Sequence, residues 1–275
     1  MPSAGSNEPL LEVTDLCVSF SGGRDLLMRH KPPFEALNSI SFQLFSGEAY
    51  AIVGESGAGK STAAKCVVGL QHPTSGEITF QGKPLSFKGQ KRRAIQMVFQ
   101  DPYSSLNPRM TVGAAITELL RVNKICADKQ SALKRTVELL EMVGIPKTAL
   151  ENRPSAFSGG QRQRIGIARA LAVEPTLLVA DEPVSALDVS IQASILLLLK
   201  RLQKELGLTL LFISHDLAVV RQLCDRVAVM SDGKIIEDGL VADVLSKPRE
   251  DFTRALLDAA TDLPGLEMTV PETEL

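Results

Sequence analysis

Gly54-Glu55-Ser56-Gly57-Ala58-Gly59-Lys60-Ser61 concentrates groups suited to holding phosphate. Glycines let a short loop bend until successive backbone N–H groups point inward at anionic oxygens. A helix that starts at the loop's end adds its positive N-terminus. Lys60 is placed to neutralise β- and γ-phosphates, the Ser61 hydroxyl suits Mg²⁺, and Thr62 adds a hydroxyl near the α-phosphate end. The spacing GxxxxGK[ST] between a strand pattern and a helix pattern implies nucleotide binding. It does not yet say which reaction follows.

Two further groups of residues bear on that reaction. Leu177-Leu178-Val179-Ala180 reads as a buried strand ending in Asp181 and Glu182. Successive strand residues cannot both point at one ion, so the two carboxylates should have separate roles. Asp181 suits the hydration shell of Mg²⁺, and Glu182 suits polarising an attacking water. Phe157-Ser158-Gly159-Gly160-Gln161-Arg162-Gln163-Arg164 opens a helical stretch, Gln161–Leu171. Ser158, Gly159 and Gly160 at its start form a second N–H-rich anion site, and a plain N-cap would need neither the second glycine nor Gln161. One chain then carries two phosphate-binding surfaces.

The elements that must position these residues read as α/β. Leu11–Phe20 and Ala36–Leu44 show partial alternation, and Ala49–Val53 is a short apolar run entering the glycine loop. Lys60–Leu70 is expected to be a helix, Gly76–Ser86 a hairpin and Ala94–Phe99 a buried strand. From Thr111 to Leu150 strand signals vanish, and Val112–Val122 and Ser131–Val143 carry apolar residues at helical spacing. Strands return at Thr176–Ala180, Leu208–Ile213 and Arg226–Met230, and Asp232-Gly233 predicts a turn into Lys234–Glu237. A parallel sheet with helices on its faces is the expected result. His215, after Leu208–Ile213, should emerge at the sheet's carboxyl edge beside Asp181.

Bulk properties narrow the setting. With 275 residues, 44% hydrophobic and 23% charged, the chain has the composition of a soluble globular protein. A net charge of −2 gives no global reason to expect nucleic acid or an anionic membrane as partner. The four cysteines (Cys17, Cys66, Cys126, Cys224) are scattered without metal-like spacing, so reduced thiols are expected. The start MPSAGSNEPL has no secretory pattern, and Ile195–Leu199, broken by Lys200 and Arg201, is far short of a membrane span. Membrane association would have to come through another protein.

Taken together, these stretches resemble the ATP-binding-cassette (ABC) ATPases, over roughly Leu11 to Gly239. Gly54–Ser61 looks like the family's P-loop, and Phe157–Arg164 like its signature, with phenylalanine where leucine is more usual. Gln100 in VFQDP matches the Q-loop glutamine, Ser185-Ala186-Leu187-Asp188 the D-loop, and His215 in FISHD the switch histidine. The resemblance implies a P-loop NTPase (RecA-like) core with a mixed, largely parallel sheet, an N-terminal antiparallel β subdomain and an inserted α-helical subdomain. It divides the chain into one ATPase domain over 9–245 and a tail over 246–275. Within the domain, 9–99 and 158–245 would form the catalytic core and 100–157 the helical subdomain. Glu182, His215 and Gln100 would be catalytic, and Ser61, Gln100 and Asp181 would hold Mg²⁺. The nucleotide would be bound by Gly54–Thr62, Asp188 and an aromatic stacked on adenine, Phe20 or its rival Phe34 across an insertion. The family works as a head-to-tail dimer, in which Ser158–Gln161 of one cassette covers the nucleotide held by the other.

Val98–Arg109, with Asp101-Pro102 and Ser105-Leu106-Asn107-Pro108-Arg109, is similar to the ATPases of peptide and nickel importers, and Ile191-Gln192-Ala193 agrees. Taken alone, the stretch is a turn-rich loop. That resemblance implies a peripheral ATPase on the cytoplasmic face of the inner membrane. Its partners would be a second ATPase (paralogue or self) and two transmembrane permease subunits, with an extracytoplasmic solute-binding protein engaged indirectly. ATP and Mg²⁺ are implied. The iron–sulfur cluster of some members is not expected, since no cysteine follows Cys224. The alternatives are an ABC ATPase of another transporter class or of a non-transport process, and a nucleotide-binding module or kinase. The last would leave the signature, Glu182 and His215 without a task.

Overall fold

Two kinds of strand occur, and their patterns of burial send them to different sheets. The computed structural model describes residues 8–21, 34–85, 91–101, 106–185 and 187–261. Leu11–Phe20 (β1) and Phe34–Leu44 (β2) alternate buried and exposed residues, as a sheet with one covered face requires. Ala49–Val53 (β3) is buried throughout, as a central parallel strand must be. Ser75–Phe80 (β4) and Lys83–Pro84 (β5) complete an antiparallel sheet in the order β2-β1-β4-β5. Ile95–Val98 (β6), Leu177–Asp181 (β7), Thr209–Ser214 (β8), Arg226–Ser231 (β9) and Lys234–Leu240 (β10) join β3 in the order β10-β9-β3-β8-β7-β6. Pairing in that sheet is parallel except between β10 and β9, the pair joined at Asp232-Gly233.

The helices are Lys60–Val67 (α1), Lys91–Ala94 (α2), Val112–Val122 (α3), Lys129–Met142 (α4), Gly159–Leu171 (α5), Val189–Leu206 (α6), Leu217–Leu223 (α7), Val241–Ser246 (α8) and Asp251–Thr261 (α9). The period-2 geometry of the central strands divides their side chains between two cores. Ala49, Ala51 and Val53 of β3, with Leu210 and Phe212 of β8, pack in the core that includes the helical region. Tyr50 and Ile52, with Leu211 and Ile213, pack in the core shared with the antiparallel sheet and α1. A polar knot joins the sheets beside the second core. The Tyr50 hydroxyl donates to Asp238, Arg226 pairs with Asp238 at 2.8 Å and Glu48 at 3.4 Å, and its guanidinium lies 5.0 Å from the Tyr50 ring centroid. Arg226 also donates to the Gln43 carbonyl of β2.

Some boundaries differ from the sequence pattern for local reasons. The helix expected over Lys60–Leu70 stops at Val67, because Gly69 takes φ 74° and Leu70 N–H turns back to the Lys65 carbonyl. α4 begins at Lys129 rather than Ser131, since Asp128 and Ser131 form a reciprocal capping box. In the 246–275 stretch, read as a tail, residues 251–261 form α9, which packs against α7. The buried Glu237 carboxylate of β10 accepts the N–H groups of Arg249 (3.0 Å) and Glu250 (3.3 Å) just before α9. No helix among the described residues is long and apolar enough to cross a membrane. The insertion between Phe20 and Phe34, Pro102–Ser105 of the importer-like stretch, Ala186 and the polar tail from Pro264 lie outside the described residues.

Candidate active site

β3 delivers the glycine loop to the carboxyl edge of the parallel sheet, and α1 carries it away. Gly59 caps α1 at φ 102°, and an added Cβ there would sit 2.4 Å from the Ala36 carbonyl, so the loop lies directly on β2. Glu55, Ser56 and Gly57 are exposed, Gly54 and Ala58 are buried, and Thr62 is half-buried. The Lys60 side chain is buried and donates to the Gly54 and Glu55 carbonyls, each at 2.7 Å. Burial pulls its pKa below the usual lysine range, while the Glu182 and Asp181 carboxylates oppose that shift.

Neighbouring β7 brings its acids to the same edge. Ser61 Oγ donates to Asp181 Oδ1 at 2.8 Å, tying α1 to β7. Burial raises the Asp181 pKa, and the Ser61 hydrogen bond works against the rise. The adjacent Glu182 does not continue the strand. It takes φ 44°, a region that side chains rarely adopt, and its N–H donates to the Ile213 carbonyl of β8. This twist turns Glu182 away from Asp181 and toward two other residues. His215 Nδ1 lies 3.3 Å from Glu182 Oε2, and Gln100 Nε2 lies 3.4 Å from the same oxygen. The two acids stand apart because Glu182 leaves the strand, not because of alternation along it.

Ser158–Gln161 lie at the start of α5, and among the described residues no hydrogen bond joins them to Gly54–Thr62. Ser158 Oγ accepts from Gln161 N–H at 3.3 Å, and Gln161 Oε1 accepts from Ser158 N–H at 3.0 Å. Contrary to expectation, a plain N-cap does have a use for Gln161, which completes the reciprocal cap. Gly160 also has a packing reason: an added Cβ would lie 2.4 Å from Ile191 Cγ2 of α6. Asp188 caps α6 through its backbone alone, and its carboxylate makes no capping bond.

Phe20 and Phe34 are directly opposed in the β1–β2 register, and both rings are exposed. They are therefore a cross-strand pair on one face, not alternatives at separate places. Two side chains beyond the sequence-level candidates complete the geometry. Ser185 Oγ accepts from Gln100 Nε2 at 3.2 Å and donates to the Glu182 carbonyl at 3.1 Å. The fully buried Gln163 of α5 donates to the Phe99 carbonyl at 3.4 Å, next to Gln100. Both lie in stretches quoted above, but spacing alone does not reveal whom they touch.

Ser61, Asp181 and Gln100 offer hydroxyl, carboxylate and amide oxygens, hard donors of the kind Mg²⁺ takes, and Ser61 and Asp181 already meet. Nothing in the set favours a softer metal.

A family described as ABC transporter matches residues 37–185. The oligopeptide transport ATP-binding protein OppF of Bacillus subtilis (strain 168) is 45% identical over 92% of this chain and 82% of its own. OppF of Escherichia coli (strain K12) is 46% identical, covering 91% and 77% respectively. The glutathione import ATP-binding protein GsiA of Pectobacterium atrosepticum is 47% identical over 92% of this chain but only 41% of its own. Among solved structures, a dimeric post-hydrolysis state of the ATP-binding cassette MJ0796 with ADP and Pi superposes at TM-score 0.74. It shares 29% identity and covers 84% of this chain and 98% of that one.

Proposed function

The chain belongs to the ABC transporter family, and from that premise we propose that it is the ATP-hydrolysing subunit of an importer for peptides or related small solutes. Nickel chelates fall within that class. The relatives named for oligopeptide transport and glutathione import support the solute class. Uptake would proceed through two partner permease subunits. A second ATPase subunit, paralogue or self, would complete the motor at the cytoplasmic face of the membrane. We read residues 100–157 as the helical part that docks on the permeases.

One observation carries the hydrolytic reading: a single Glu182 oxygen is approached by both Gln100 and His215, beside the Ser61–Asp181 bond. In this reading the loop N–H groups bind the phosphates of ATP, and Lys60 exchanges two carbonyl partners for phosphate oxygens. Ser61, Asp181 and Gln100 would hold Mg²⁺, which when bound offsets the charge of the terminal phosphates. Glu182 accepts a hydrogen bond from the attacking water and aligns it with the γ-phosphate. His215 holds Glu182 and senses the γ-phosphate. The exposed Phe20–Phe34 pair supplies the adenine's stacking surface. Ser158–Gly160 and Asp188 serve the nucleotide of the opposing cassette. Positioning and charge neutralisation do most of the work, as phosphoryl transfer requires.

Glu182→Gln keeps the shape and removes the basic oxygen. ATP binding is expected to persist while turnover falls roughly 10²- to 10⁴-fold, with a closed dimer accumulating. Unchanged turnover in that variant would overturn the assignment. The solute class is tested by purifying the chain with its permeases and identifying captured solutes by mass spectrometry; a consistently non-peptide, non-chelate solute would refute it.

A further inference from the structure

Gln192 stands one turn inside α6, four residues after the Asp188 cap, in the Ile191-Gln192-Ala193 stretch that the hydrolytic reading leaves without a task. It is half-buried, and its amide nitrogen donates to two backbone carbonyls. Gln192 Nε2 donates to the Val184 carbonyl at 3.0 Å and to the Leu187 carbonyl at 3.0 Å. Those two carbonyls flank Ser185, whose hydroxyl bridges Gln100 and the Glu182 backbone. The start of α6 and the residue before its cap face the signature, since Ile191 occupies the space beside Gly160 and Leu187 lies against Gly159.

We propose that Gln192 is a positioning residue for ATP hydrolysis: its amide holds the Val184 and Leu187 carbonyls, so that Ser185 keeps Gln100 on Glu182. The chemistry of the site specifies the residue. Two carbonyl acceptors call for two N–H donors on one nitrogen at three-carbon reach. Asparagine is too short, and glutamate presents acceptors to acceptors. Without the amide, the Leu187 carbonyl loses the Gln192 donor, the Val184 carbonyl keeps only the Leu187 N–H at 3.1 Å, and Ser185 is free to leave Gln100. The first turn of α6 then also joins the signature face to the hydrolytic residues within one chain, through Ile191 on one side and Gln192 on the other.

This proposal rests on the ATPase reading above, and the test separates the two. ATP hydrolysis, apparent KM for ATP and thermal unfolding are measured on the full chain with its co-purified partner subunits. Wild type, Glu182→Gln and Gln192→Met are compared. Methionine matches the length of glutamine and donates nothing. Gln192→Met is expected to lower kcat roughly 10- to 100-fold, the scale of a small misplacement of catalytic groups, with KM and Tm kept. Retained kcat overturns the positioning role, and so does a fall in kcat matched by a comparable loss of ATP affinity or Tm, which marks a merely structural residue. If Gln192→Met does not fold, Gln192→Asn, which keeps the amide at shorter reach, is read by the same criteria. Equal turnover in wild type and Glu182→Gln overturns the ATPase reading itself.

Discussion

Glu182 holds an unfavourable backbone angle, φ 44°, at the point where its carboxylate leaves Asp181 for Gln100 and His215. A side chain in that region costs on the order of 1–3 kcal/mol, and glycine would not bear it. Glu182→Gly is therefore expected to be as stable as wild type or more stable by about 1 kcal/mol, while turnover is lost. Thermal unfolding and ATP hydrolysis on the same preparation check this, and a clear loss of stability would show that the angle is not strained. The candidates for the reactive residues could be picked out because spacing and order mark them: a glycine loop, an acid pair ending a strand, a histidine after the next strand. Their partners could not. That Ser185 bridges Gln100 and Glu182 depends on rotamers and chain paths that no local pattern encodes. The Gln161 cap, by contrast, has a local signal, a serine followed three residues later by glutamine.

Among the elements, β3 and β8 were readable because strands buried on both faces appear as unbroken apolar runs. α9 was not. Its residues follow a polar approach, and what orders them is distant: Glu237 of β10 receives the backbone N–H groups of Arg249 and Glu250. Burial pushes the Glu237 carboxyl up, yet the hydrogen bonds it accepts outweigh burial and bring it below the ordinary glutamate value. A carboxyl lowered in the folded state contributes stability above its unfolded pKa, and that stability is lost as pH falls through the folded value. Amide exchange in residues 251–261 should thus quicken as pH drops below about 4.5, after correction for intrinsic rates. Glu237→Ala should show the quickened exchange already at neutral pH. Equal protection in the variant would mean that α9 is held by its apolar contacts alone.

At the scale of the molecule, the loop of Gly54–Ser61 and the start of α5 are separate surfaces of one chain, and the proposal of a shared site between two cassettes follows from that separation. Ser158→Asn retains a side chain able to cap α5 but enlarges the surface offered to a partner's nucleotide. ATP binding by the isolated chain is expected to be unchanged, with hydrolysis by the assembled pair falling at least tenfold, on the order of a lost transition-state hydrogen bond to a charged group. Full activity in a monomer would contradict the shared site. The knot of Glu48, Tyr50, Arg226 and Asp238 has a consequence of another kind. Arg226 meets both acids and the Tyr50 ring, and Asp238 also takes the Tyr50 hydroxyl, so replacing Arg226 or Asp238 leaves a neighbour's charge or hydroxyl without its partner. Over generations these four positions should drift as a single heritable unit: substitutions tolerated in concert, and seldom one by one.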